Sequence, residues 1–294
     1  MFMQNYINFL EFANSKNKKK IVLIIGSARS AECCPNEESK ASKLAKKIRS
    51  EFSNLAIFET IDLSVKCDGV NVLPCKACVS TSAFHCHWHC DCYSKESDPK
   101  DLMHQQDVYK KLEECDGFFV ITPINWGSCS SVVKSFFDRL VCANLTITQE
   151  EAKQILGKDN IKNSQKTREI EKSKKYNKLL KNHLEGKYAG FFGYGNYGGS
   201  DYREFTSNSD KNLPVFPDSL VQFEKTNPDE DPTKLLDPLV RQCVYSGIYV
   251  PDDCVKSLVF GFGVSYSDSN DAFNKKPNLY LECNNIFKNF ITKF

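Results

Sequence analysis

Short apolar runs separated by amphipathic stretches set the pattern of this chain. Ile21–Ile25 is an unbroken branched-aliphatic run ending at Gly26, the pattern of a strand buried on both faces. Glu38–Phe52 carries Ala41, Leu44, Ala45 and Ile48 at helical spacing, with lysine and arginine on the other face. Leu55–Leu63 reads as a second strand, so the chain opens strand–loop–helix–strand. A helix is predicted over Asp101–Glu114 and a third strand over Gly117–Thr122, closed by Pro123. Another helix follows over Ser130–Ala143, with Val132, Val133, Phe136, Phe137, Leu140 and Val141 in helical positions. The pattern continues with a fourth strand over Tyr188–Phe192, a helix over Lys234–Ser246, a fifth strand over Leu258–Val264 and a helix over Leu279–Ile291. Five strands alternating with helices predict an α/β protein with a doubly wound five-stranded parallel sheet.

Two stretches break that rhythm. Cys67–Lys100 is rich in cysteine and histidine and has no period, which makes it an excursion from the sheet. Residues 144–186 are polar and lysine-rich, with Leu156, Leu179 and Leu180 as isolated apolar positions. They read as an exposed helical or partly disordered insertion, or as an arm laid over a neighbouring subunit in a dimer. The domain division is then an N-terminal extension, 1–19, and one domain over 20–294.

Composition narrows the classes. Of 294 residues, 41% are hydrophobic and 26% charged, enough to bury a large core. A net charge of +2 provides no field for nucleic acid or an anionic membrane, and neither is expected as a partner. The basic run at Lys16–Lys20 follows the apolar stretch Phe2–Phe12, the reverse of a secretory leader. No run approaches the roughly 20 apolar residues of a membrane helix. A cytoplasmic location is expected. Most of the fourteen cysteines scatter through the chain, as small buried hydrophobes do, but five crowd between Cys75 and Cys92.

Three loops leave the carboxyl ends of predicted strands, where ligands of such sheets bind. Gly26–Ser42 offers Ser27, Arg29, Ser30 and Ser39 ahead of a helix N-terminus, a combination suited to a phosphate monoester. It lacks both the P-loop pattern and the glycine fingerprint of dinucleotide folds, so a solvated turn with a helix cap stands beside that reading. Thr122–Ser131 (TPINWGSCSS) presents Trp126 as either a flat platform for an aromatic ring or a core plug. Gly193–Asp201 (GYGNYGGSD) has four glycines that permit close backbone approach, with Tyr194 and Tyr197 supplying rings; a mobile turn is the plain alternative.

The run GSARS with a later serine at the first strand, TPINWGSCSSVVKSFFDRL at the third and GYGNYGG at the fourth resemble the NADPH-dependent FMN reductase family. A bacterial branch of that family carries a cysteine-rich segment after strand two, to which PCKACVSTSAFHCHWHCDCY is similar. The resemblance covers residues 20–143 well and 187–200 loosely. It implies a flavodoxin-like fold and an NAD(P)H-dependent oxidoreductase that passes electrons through bound FMN to a quinone, flavin or similar small acceptor. It implies that Ser27, Arg29 and Ser39 hold the FMN phosphate, with Ser42 a competing choice for the last. Pro123, Ile124, Asn125, Trp126 and Gly127 would wrap the ribityl chain and ring edge, and Gly195, Tyr197 and Gly198 would close over the ring. The flavin accepts the hydride, so no general acid or base is nominated. A homo-oligomer is expected, and the rivals are a non-turnover electron carrier and a flavin-free scaffold.

The cysteine cluster is open on its residues. Cys75 and Cys78 form a C-x-x-C pair followed by Cys86, Cys90 and Cys92, with His85, His87 and His89 between them. Such a pair can grip zinc or an iron–sulfur cluster, yet the second half, CHWHCDC, matches neither a standard zinc finger nor a ferredoxin run. Iron–sulfur flavoproteins of the same fold carry a tighter motif in the corresponding place. Reduced thiols packed in a loop remain the metal-free alternative.

Overall fold

The computed structural model describes residues 18–33, 36–125, 127–157, 164–195, 235–259 and 278–294. Five parallel strands, β1 Lys19–Ile25, β2 Ala56–Asp62, β3 Gly117–Asn125, β4 Tyr188–Gly195 and β5 Val255–Val259, pair in the order β2-β1-β3-β4-β5. This 2-1-3-4-5 order is that of the flavodoxin-like doubly wound sheet.

Alternation along each central strand feeds two cores. Val22 and Ile24 of β1 join Phe118 and Val120 of β3 on one face, with Phe136 and Phe137 of helix α3, Ser131–Arg139. Ile21, Leu23 and Ile25 join Phe119 and Ile121 on the other, under α1, Lys40–Glu51, and α7, Leu279–Ile291. Helix α1 buries the four apolar positions read from its spacing, while Phe287 of α7 packs edge-on and Phe290 tilted against Phe119, at centroid distances of 5.2 and 5.5 Å. Each such side chain contributes about 1.5–3 kcal/mol of transfer free energy. Burial of both faces is why these strands read as continuous apolar runs.

Four expectations change. Strand β3 does not close at Pro123 but runs on to Asn125. Its pairing with β1 stops at Ile121, so Pro123 has a strand neighbour only on the β4 side and its missing N–H costs no ladder bond. The helix expected over Asp101–Glu114 is split into a turn, Leu102–Gln105, and α2, Val108–Glu114, with Asp107 at φ +47° between them. Gln106 causes the break: its side-chain amide exchanges two hydrogen bonds, 2.6 and 2.9 Å, with the backbone of Asp62 at the end of edge strand β2. The fifth strand lies at Val255–Val259, earlier than the apolar run 258–264, most of which falls outside the described residues. As an edge strand it carries Lys256, whose amine meets Glu282 of α7 at 2.5 Å.

The fourth change concerns the lysine-rich insertion. Its described residues form α4, Gln149–Leu156, α5, Ser164–Glu171, and a short helix, Lys174–Asn177. They are packed, not an exposed arm: Ile147, Ala152 and Tyr176 bury against Phe84 of the excursion, with Leu156, Leu179 and Leu180 around them. Glu171 accepts hydrogen bonds from the Ser82 hydroxyl and the Phe84 amide, and His87–Trp88 pairs in parallel with Ile147–Thr148. Excursion and insertion thus share a small core of their own. Helix α6, Asp237–Tyr245, closes the remaining face beside α3.

Candidate functional site

The carboxyl ends of β1, β3 and β4 lie side by side, and specific contacts tie their loops together. The Gly26 amide donates to the Ile121 carbonyl at 2.8 Å, and the Ser130 hydroxyl donates to the Gly26 carbonyl. Ser130 also caps α3, accepting from the Val133 amide at 3.4 Å. One serine therefore starts a helix and fixes the first loop to the second. Gly195 ends β4 against Ile124, where a Cβ would lie 2.7 Å from the Ile124 carbonyl oxygen. That approach demands glycine.

In the first loop Ser27 is buried and accepts from the Arg29 amide at 3.2 Å. Ser39 is buried at the N-cap of α1, accepting from the Ser42 amide at 3.2 Å. Ser42 gives its hydroxyl proton to Glu38 at 2.5 Å, and Glu38 also pairs with Lys46. Burial would raise the Glu38 carboxyl, but the hydrogen bonds from Lys46 and Ser42 outweigh it and hold the group below its ordinary value. Lys40, the first helical residue, is held low by burial and then by the charge of Arg29 beside it. Two cations, a capped helix N-terminus and two serines meet here. A cavity of about 440 Å³ opens on the β2 side of this loop, lined by Arg29, Ser39, Ser42, Lys46, Thr60 and Asp62 among others.

The second loop is a tight hairpin. Ile124 faces Cys129 and Asn125 faces Ser128 across an antiparallel pair, with Gly127 at φ +74° in the two-residue turn. Asn125 is exposed at the tip, while Ile124 is buried. Pro123 and Gly127 are half-buried. Trp126, Tyr197 and Gly198 lie outside the described residues.

Of the predicted residues, Ser27, Arg29 and Ser39 share one loop around the α1 N-terminus, and Pro123, Ile124, Asn125, Gly127 and Gly195 share the adjoining strand ends. Ser130 and Thr122 were missed as organisers. Thr122 is buried and its hydroxyl oxygen accepts from the Ser130 amide at 3.4 Å. Tyr194 does not supply an open ring. It is buried beneath the first loop, with the Ala41 amide beside its hydroxyl, and burial pushes that hydroxyl's pKa up. The parallel pairing Pro123–Tyr194 on β3 and β4 places it there, which loop composition does not reveal.

Residues 19–158 match the model of the NADPH-dependent FMN reductase family. The matched segment is a little under half of the chain and holds β1 to β3, the first two loops and the whole excursion. Strands β4 and β5 lie beyond it. No curated protein matches the chain. Among solved structures it is similar to an NAD(P)H:quinone oxidoreductase from Methanothermobacter marburgensis, at 11% identity, over 91% of this chain and 97% of that one, TM-score 0.44. It is also similar to an azoreductase from Bacillus anthracis, at 10% identity over 94% and 100%, TM-score 0.42. A third is general stress protein 14 from Treponema denticola in complex with FMN, at 11% identity over 94% and 99%, TM-score 0.39. The fold assignment rests on the strand order, not on these likenesses.

The excursion folds back on itself. Tyr93 donates its hydroxyl to the Pro74 carbonyl at 2.7 Å, and Lys76 reaches the Cys92 carbonyl at 2.6 Å. These ties bring Cys78 and Cys92 to an Sγ–Sγ distance of 3.6 Å, with Cys86 and Cys90 adjacent and Cys75 near the rim. Arg139, at the end of α3, is fully buried among them and forks onto Asp101 at 3.0 and 3.3 Å. Every described cysteine is a free thiol. Among the described residues, no group of three or more His, Cys, Asp or Glu is arranged to hold a metal ion.

Proposed function

We propose that this chain binds FMN at the adjoining ends of β1, β3 and β4 and is an NAD(P)H-dependent oxidoreductase. The observation that carries the reading is the first loop. Arg29 and Lys40 crowd at a capped helix N-terminus beside Ser27 and Ser39, at the β1/β3 switch point of a 2-1-3-4-5 sheet. A phosphate monoester would offset the repulsion between Arg29 and Lys40, which adds to burial in depressing Lys40. The donor set thus fits the cofactor of the matching family.

Within that reading Arg29 donates charge-assisted hydrogen bonds to the phosphate, and Ser27 and Ser39 add hydroxyls. Ile124 and Gly195 form an apolar floor at the strand ends, and the Asn125–Gly127 turn presents amides to the polar edge of the ring. When bound, FMN supplies hydride acceptance from the nicotinamide and onward electron transfer. The acceptor is a small planar molecule such as a quinone, a free flavin or an azo dye. A homo-oligomer completes the open side of the site. Charge is near balance, and among the described residues no helix is long and apolar enough to cross a membrane.

The test is chromophore analysis of fresh protein together with steady-state NAD(P)H oxidation. FMN released near one per chain, and turnover that depends on an added quinone or azo dye, are expected. Bound FMN without nicotinamide turnover would make the chain an electron carrier. A colourless protein that takes up no FMN would remove the proposal.

A further inference from the structure

The cysteine cluster is remote from the proposed flavin site. Ser130 and Arg139 stand at opposite ends of α3, and nine residues at 1.5 Å rise separate them by about 13 Å. No hydride chemistry at the strand ends reaches the thiols directly. Their arrangement nonetheless goes beyond packing. Cys78 and Cys92 are half-buried and within 3.6 Å, so a movement of under about 2 Å would close a bond between them. Cys90 is buried behind Cys92, with Arg139 beside it. The Nε proton of that buried guanidinium has no hydrogen-bond partner. The site combines an accessible dithiol with a buried cation that is incompletely satisfied.

We propose that Cys78 and Cys92 are a redox-active dithiol that exchanges with small-molecule disulfides. The contact with Cys92, then the positive charge of Arg139, holds Cys90 down at about 5. The same contact and burial push Cys92 up, which keeps its proton until a substrate arrives. The groups facing Cys90 are Cys92, Cys86 and Cys75 of the excursion, Arg139 of α3, Cys142 of the turn after it, and Tyr109 of α2. Asp101 faces Arg139.

The steps balance as follows. Cys92 attacks one sulfur of an external disulfide, breaking that bond and releasing one thiolate, which takes up the Cys92 proton. Cys78 then attacks the Cys92 sulfur of the mixed disulfide, closing the Cys78–Cys92 bond and releasing the second thiolate. The two protons, from Cys92 and Cys78, join the leaving groups. Two electrons pass from the protein dithiol to the external disulfide, which leaves as two thiols.

The experiment is incubation of the full-length reduced protein with oxidised glutathione, followed by alkylation and peptide mass mapping, with metal analysis of the same preparation. Wild type is expected to lose two hydrogens in a single Cys78–Cys92 link. Cys78→Ser should stop at one glutathione on Cys92, and Cys92→Ser should form neither product. Far-UV circular dichroism of each variant checks folding. In Cys90→Ser the same link should form, because Cys90 takes no part in the exchange. The proposal is overturned if both thiols survive the incubation, or if other pairs cross-link instead. Stoichiometric zinc or iron that shields Cys78 and Cys92 until it is chelated would also overturn it. None of these readouts depends on flavin.

Discussion

The buried pair Arg139–Asp101 joins three parts of the chain, and removing one charge tests how much of the fold depends on it. Both side chains are fully buried. Arg139 also donates to the Leu73 carbonyl at 3.2 Å and the Tyr109 hydroxyl at 3.4 Å, and stacks over Tyr93 at 4.6 Å. Asp101→Asn keeps the volume and the capping oxygen that accepts from the Met103 amide, so the loss is chiefly electrostatic. An uncompensated buried guanidinium costs about 3–5 kcal/mol. Against a total stability of about 5–15 kcal/mol, that is a large share. At roughly 2–4 °C per kcal/mol for a chain somewhat smaller than this one, Tm should fall by about 6–20 °C. Arg139→Met should lose a similar amount. The double variant Asp101→Leu/Arg139→Met should recover to within about 1–2 kcal/mol of wild type, because no unpaired charge is left. Thermal and urea unfolding followed by circular dichroism would measure all three. An Asp101→Asn protein melting within about 2 °C of wild type, or a double variant that loses the sum of the singles, would refute the reasoning.

Arg29→Ala should weaken FMN binding by roughly 10- to 150-fold, the worth of a charge-assisted hydrogen bond of about 1.5–3 kcal/mol, and leave riboflavin binding unchanged; flavin fluorescence titration separates the two. Ser130→Ala removes both the α3 cap and the tie to Gly26. A loss of about 1–2 kcal/mol in urea unfolding is expected, with weaker FMN binding, and an unchanged midpoint would show the tie to be idle. Glu38 has a carboxyl held low, so its contribution is complete above its unfolded pKa of about 4.3 and is lost as pH falls through the lower folded value. The stability deficit of Glu38→Gln in urea unfolding should be under about 1 kcal/mol at pH 7, since Lys46 is exposed, and should shrink below about pH 4.

What the sequence makes legible here is what burial on two faces dictates. Ile21–Ile25, Gly117–Thr122, Tyr188–Phe192 and the α1 and α7 stripes carry their neighbours' demands in their own residues. Edge and excursion segments do not. Strand β5 is half-solvated, so the more apolar run beside it misleads. The break at Asp107 comes from Gln106 reaching β2, a contact across 44 positions. The insertion's leucines look isolated because their partner is Phe84, far upstream. At the site, loops one and two are legible from serine, arginine and glycine placement. The Ser130–Gly26 tie and the burial of Tyr194 are tertiary and leave no local mark. The crowding of cysteines is visible at a glance. That Cys78 faces Cys92, and that Arg139 stands behind Cys90, depends on a helix some fifty residues downstream.

The strand order also separates the unit of family resemblance from the unit of folding. A fragment ending at residue 158 would keep β1 to β3 and the phosphate loop. It would leave the flank of β3 that pairs with β4, Gly117 to Pro123, as a row of open amides and carbonyls. It would also lack α7, so that Phe119 and Phe52 would face water without Phe287 and Phe290. Such a piece has most of the diagnostic residues and an edge that invites pairing with its own copies. Resemblance and self-sufficiency therefore run over different lengths of this polypeptide, and the shorter of the two, cut free, would expose an edge for aggregation.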